Sequence, residues 1–263
     1  MSNPHLPAEM LDHIVDFLHD TKHTLENCCL TSKSWIPRTR THLFSGIGFY
    51  TGAELESWKE MFPDPLTSPA RYAKTLIVGC SHVVTAADGE VGGWIRGFSR
   101  VVHLEVSGES TYANESAIPL LPFHGLSPIV KSLCVNFIAL LSSQVFDLIF
   151  SFPLLEDLTV IGFDTSTDNG DGPDGFPITV QPSTSPTLTG SLELLMRGGA
   201  KTLTRRLLSL PGGIHFRKLI LTWNREQDLS TTMTLVEGCS STLESLNVTC
   251  DPFGTSFQHS CWR

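Results

Sequence analysis

The apolar positions of this chain follow two different periods. Near the N-terminus, Met10, Leu11, Ile14, Val15, Phe17 and Leu18 recur at the spacing of one broad helical face. Leu6-Pro7-Ala8-Glu9 is the start signal for that helix. Proline at the first helical position loses only an amide that had no partner, and Glu9 favours the positive end of the helix dipole. Asp20 and Thr21 break the pattern. Thr24 is placed to cap a second short helix carrying Leu25, Cys28, Cys29 and Leu30, and Ser32 to cap a third piece that contains Trp35 and stops near Pro37. Three short amphipathic helices in roughly 40 residues fall below the size at which one core is usually self-sufficient, so such a unit wants a partner.

A further amphipathic segment, Ala53 to Phe62, is followed by the proline-rich break Pro63 to Pro69. Beyond it the period changes to two. A leucine with an apolar residue two positions later recurs at Leu76/Val78, Leu104/Val106, Leu133/Val135, Leu158/Val160, Leu219/Leu221 and Leu246/Val248, with a weaker copy at Leu192/Leu194. The leucines at 76, 104, 133, 158, 192, 219 and 246 stand 25 to 34 residues apart, near the period of a leucine-rich-repeat-like solenoid. Alternation predicts a short strand in each copy with its leucine and valine on the buried face. Gln144 to Phe150, Leu203 to Leu210 and Thr232 to Val236 supply apolar residues for helices that cover those strands. The longest interval holds an insertion, Asp164 to Gly190, rich in Asp, Gly, Pro, Ser and Thr, which reads as a surface loop. The turn asparagine of the strict repeat is missing from most copies, and a mixed α/β domain with coincidental spacing is the alternative. Asp251 to Arg263 offers no obvious capping helix, so an unusual cap or a truncated coding sequence is expected at that end.

Composition narrows the function. With 263 residues, 41% hydrophobic and 17% charged, the chain can bury a sizeable core in one or two domains. Its net charge of −9 disfavours nucleic acid and anionic membranes as partners. Phe137 to Phe152, the most apolar stretch, is too interrupted to span a bilayer, and the N-terminus lacks the pattern of a signal peptide. Seven cysteines, with Cys28 and Cys29 adjacent in a helical pattern, suit a cytoplasmic or nuclear protein better than a disulfide framework. The sequons at Asn114 and Asn247 then read as chance matches, the second inside a strand.

Motifs for chemistry are missing: no phosphate loop, no G-x-G-x-x-G, no G-x-S-x-G, no H-E-x-x-H and no C-x-x-C. Cys239, Cys250 and Cys261 do not have a zinc spacing, and His103 reads as a strand residue. Asp168, Asp171 and Asp174 lack the order of a calcium loop. No catalytic residue, metal site or cofactor is therefore expected.

The N-terminal helices carry a resemblance. Leu6-Pro7-x-Glu9-x-Leu11-x-x-Ile14, then Leu18, then Leu30-Thr31-Ser32-Lys33-x-Trp35, resembles an F-box in the order and spacing of its elements. Leu25 to Phe44 is similar to the form common in mushroom-type fungi, with a looser echo through Arg71 to Leu76. Thr31 departs from the family, which more often has an apolar residue there. The resemblance implies an F-box over 1–45, a helical linker over 46–70 and a repeat region over 71–263. It implies docking onto a Skp-type adaptor within a cullin-based SCF ubiquitin ligase, with Leu6, Pro7, Glu9, Leu11, Ile14, Leu18, Leu30 and Trp35 as the matching positions.

On this reading the chain is an α/β protein, three F-box helices followed by an irregular leucine-rich-repeat-like solenoid. It works by bringing a target protein near a conjugating enzyme. If the sheet lines a concave face, the strand positions between and after the buried pairs are candidate target contacts: Ile77, Glu105, Ser107, Cys134, Asn136, Thr159, Ile220, Thr222, Asn247 and Thr249. The alternatives are an interaction scaffold that transfers no ubiquitin, and an enzyme with an unrecognised site.

Overall fold

The structure is a computed structural model that describes residues 7–79, 93–108, 123, 126, 129–136, 146, 148–162, 186, 188–196, 200–210, 212–223 and 229–250. It is a mixed α/β chain whose eight strands form one open, wholly parallel sheet.

Three helices lead. α1 spans Ala8–Phe17, α2 spans Lys22–Thr31 and α3 spans Ile36–Leu43. Pro7 lies one position before α1, where its carbonyl accepts from the amides of Met10 and Leu11. Two expected boundaries move. Thr24 lies inside the first turn of α2, which starts after Thr21, so it is not a cap. Pro37 does not end a helix but opens one, because a first-turn amide has no intrahelical acceptor to lose. The helices share a small core of Val15, Leu25 and Cys28, joined by Thr39, whose hydroxyl donates to the Trp35 carbonyl at 2.7 Å.

The strands are β1 Gly46–Phe49, β2 Thr75–Gly79, β3 His103–Ser107, β4 Ser132–Asn136, β5 Asp157–Ile161, β6 Ser191–Met196, β7 Lys218–Trp223 and β8 Ser245–Cys250. They pair in chain order. The seven repeated leucines are in register, Leu76, Leu104, Leu133, Leu158, Leu192, Leu219 and Leu246, with Ile47 of β1 as an eighth rung. Two residues on, Phe49, Val78, Val106, Val135, Val160, Leu194, Leu221 and Val248 make a second ladder on the same face. Both ladders are buried through β7 and exposed at β8.

β1 was not expected. It lies in the stretch that reads as a helical linker, and Gly46 and Gly48 mask its strand propensity. The helix α4, Gly52–Met61, follows β1 and sends Leu55 into the same core. Thr51 and Glu54 close a reciprocal capping box at its start. Phe98 joins Phe49, Trp58 and Trp94 in an aromatic group beside β1. Further along, Phe146 and residues 148–150, then α5 (Ala200–Leu208) through Leu203 and Leu207, and α6 (Leu229–Gly238) through Leu235, join the ladders in one buried cluster.

A backbone staircase repeats at the strand entrances. The carbonyl of Ser45 accepts from Lys74 and Thr75, that of Lys74 from Val102 and His103, and that of Val102 from Lys131 and Ser132. The pattern continues from Lys131 to Glu156 and Asp157, and later from Gly190 and from Arg217. It changes once, at the longest interval. The Glu156 carbonyl takes only the Gly190 amide, and the Ser191 amide and hydroxyl turn to Asp157 Oδ1 at 2.6 and 2.7 Å. A Cβ at position 190 would overlap that carboxylate, so a larger residue there would displace it from Ser191. The start of the insertion, with Asp168, Asp171 and Asp174, lies outside the described residues, but Pro186 and Leu188 at its end are buried and so depart from the surface loop expected of it.

Candidate functional site

Two surfaces are built by this architecture. The first lies on the helical unit. Residues 10, 14 and 17 fall on one helical stripe, and on α1 they are Met10, Ile14 and Phe17, with exposures of 52%, 42% and 89%. Leu30, near the end of α2, is 85% exposed. Isolated exposed leucines are ordinary, but here three large apolar side chains lie exposed in a regular stripe on a ten-residue helix.

The residues implied by the resemblance fall into three groups. Pro7, Glu9, Ile14 and Leu30 are exposed; Leu11, Leu18 and Trp35 are half-buried; Leu6 lies outside the described residues. Met10 and Phe17 were absent from that set, although the helical spacing that places them with Ile14 was present in the sequence.

An ionic cluster joins α1 to α3 beside this stripe. Arg38 of α3 donates from Nε and Nη2 to the two carboxylate oxygens of Asp16 of α1, at 2.5 and 2.6 Å. His42 Nε2 adds a third bond to Asp16 Oδ1 at 2.8 Å. The Arg38 hydrogen bonds, followed by that of His42, hold the Asp16 carboxyl well below the usual carboxylate range, and Asp16 in turn raises Arg38.

The second surface is the face of the sheet opposite the ladders. Its central row runs Gly48, Ile77, Glu105, Cys134, Thr159, Glu193, Ile220 and Asn247 across the eight strands. A neighbouring row includes Ser107, Asn136, Thr222 and Thr249. Ile77, Ser107, Cys134, Asn136, Thr159, Ile220 and Thr222 are half-buried, and Asn247 and Thr249 are exposed. Glu105 departs from expectation: at 8% exposure it is packed in place and is no open contact.

Glu193 was not among the expected contacts, because its strand is the weakest copy of the repeat. It is half-buried in the central row, where burial pushes its carboxyl up and the nearby Lys218 charge pulls it back. Cys239 is buried, and that burial raises its thiol pKa, opposed by a hydrogen bond from the Phe216 backbone. Among the described residues no group of three His, Cys, Asp or Glu side chains could hold a metal ion, and no helix is long and apolar enough to cross a membrane.

These features define a mixed α/β chain with a sequentially ordered parallel sheet and N-terminal helices carrying uncovered apolar side chains. No family model, curated protein or solved structure matches the chain.

Proposed function

We propose that the chain is a non-catalytic substrate-recognition adaptor of an SCF-type ubiquitin ligase. Its three helices act as an F-box that docks on a Skp-type adaptor, and its repeats act as a leucine-rich-repeat-like solenoid that presents the face of the sheet opposite the ladders to a target protein. The observation that carries this reading is the apolar stripe Met10, Ile14 and Phe17, with Leu30, left uncovered on helices whose sequence resembles that family. Docking would bury these side chains at about 25 cal/mol per Å² of apolar surface removed from water. The chain then contributes proximity: a target held on the sheet meets the conjugating enzyme at a raised effective concentration, with no bond made or broken by this protein.

Co-purification of the full chain with a fungal Skp-type adaptor tests the reading, with Ile14→Asp and Phe17→Asp variants beside it. An aspartate buried unpaired in such an interface weakens binding by about 30-fold or more. Because both positions are exposed in the free chain, the variants retain the wild-type melting temperature. A well-folded wild-type chain that captures no adaptor sinks the proposal.

A further inference from the structure

We infer that Asp16 is the positioning residue of α1, fixing the rotation of that helix against α3 so that Met10, Ile14 and Phe17 are presented together; the inference rests on the docking role proposed above. α1 has little else to orient it. Val15 is its one fully buried side chain, with Leu11 and Leu18 half-buried. Apolar burial is non-directional, so these contacts resist departure of the helix more than its rotation. The Asp16 cluster supplies the missing direction. Two parallel bonds from Arg38 and a third from His42 reach one carboxylate across the α1–α3 boundary. A fork-to-carboxylate pair constrains angle as well as distance. Each residue turns an α-helix by about 100°, so even a partial rotation of α1 moves the stripe off its face.

The surrounding charges are consistent with one fixed point. Asp12, one turn earlier, adds a favourable charge for Arg38. His19 lies 6.0 Å from His42 between ring centres, with Nδ1 at 2.7 Å from the Asp16 carbonyl and Nε2 at 2.9 Å from Asp20. Partly exposed ion pairs contribute little to global stability, so the main effect of this one falls on orientation. When α1 occupies the competent orientation for a smaller fraction of the time, apparent affinity falls by that fraction.

The test measures side-chain nuclear Overhauser effects between α1 and α3 and Skp-type adaptor affinity on the full chain, for wild type, Asp16→Asn and Arg38→Lys. Asp16→Asn keeps the shape and loses the charge, whereas Arg38→Lys keeps the charge and loses the fork. In Asp16→Asn, the side-chain nuclear Overhauser effects between α1 and α3 are expected to weaken, because a rotated α1 presents other side chains to α3, and adaptor affinity to fall about tenfold in parallel. Arg38→Lys shifts both readouts in the same direction by less, and decides the matter alone if Asp16→Asn does not fold. Unchanged α1–α3 contacts overturn the inference, and so do weakened contacts with wild-type affinity. A wild-type chain that binds no adaptor removes the docking role instead, while the α1–α3 contacts still report whether Asp16 orients α1.

Discussion

At the scale of single residues, two carboxylates on the sheet have opposite duties. Asp157 accepts from the Ser191 amide and hydroxyl, standing in for the backbone carbonyl that serves the other strand entrances. Glu193 has the reverse situation, since desolvation raises its pKa. A raised acid disfavours the fold once it ionises, so its cost is present above its folded pKa and absent below its unfolded value of about 4.3. Glu193→Gln is therefore expected to raise the melting temperature at pH 7 and leave it unchanged at pH 3. Thermal melts across that range check this, and a variant equally shifted at both pH values refutes the assignment.

At the scale of elements, each strand is stabilised by its rungs more than by its ends. Leu133 is fully buried between Leu104 and Leu158, so Leu133→Ala removes transfer energy and leaves a cavity that neighbouring rungs hold open. The expected loss is about 2–5 kcal/mol. The capping box of α4 is exposed, and Thr51→Ala there costs about 1 kcal/mol. Chemical denaturation of the two variants should rank them in that order, and a Leu133→Ala loss smaller than that of Thr51→Ala would contradict the ladder as the main source of stability. Glycine has a local role in the same element set: Gly79 lies so close to the Tyr50 backbone that a Cβ would stand 2.6 Å from its carbonyl oxygen.

At the scale of the molecule, stability is divided. Val15, Leu25 and Cys28 form a small core of their own, apart from the continuous cluster that runs along the sheet from Ile47 to Leu235 and Cys239. Fewer buried side chains per helix mean a lower free energy of local opening. Native-state hydrogen exchange is expected to give α1, α2 and α3 lower protection than β3 to β7. On the proposed function, bound adaptor would raise protection in the helices and leave the sheet unchanged. Equal protection throughout in the free chain would make the molecule one cooperative unit and count against this division.

The amino-acid sequence by itself determined the repeating frame. Seven leucines and their partners two residues on are all in register, because alternation along a strand is a local property that each copy carries whole. The three N-terminal helices were legible for the same reason, through helical spacing, although Thr24 and Pro37 took other places because either residue suits a first turn as well as a boundary. Tertiary structure alone decided which apolar residues are covered. Leu25 and Leu30 stand about 140° apart around α2, and packing decided that the face of Leu25 is covered while that of Leu30 stays exposed. It also decided that Gly46–Phe49 becomes a strand, because pairing with β2 outweighs the weak propensity of its two glycines. The bonds from Asp16 to Arg38 and His42 cross 22 and 26 residues, a proximity that no local pattern encodes and that only the packing of α1 on α3 creates.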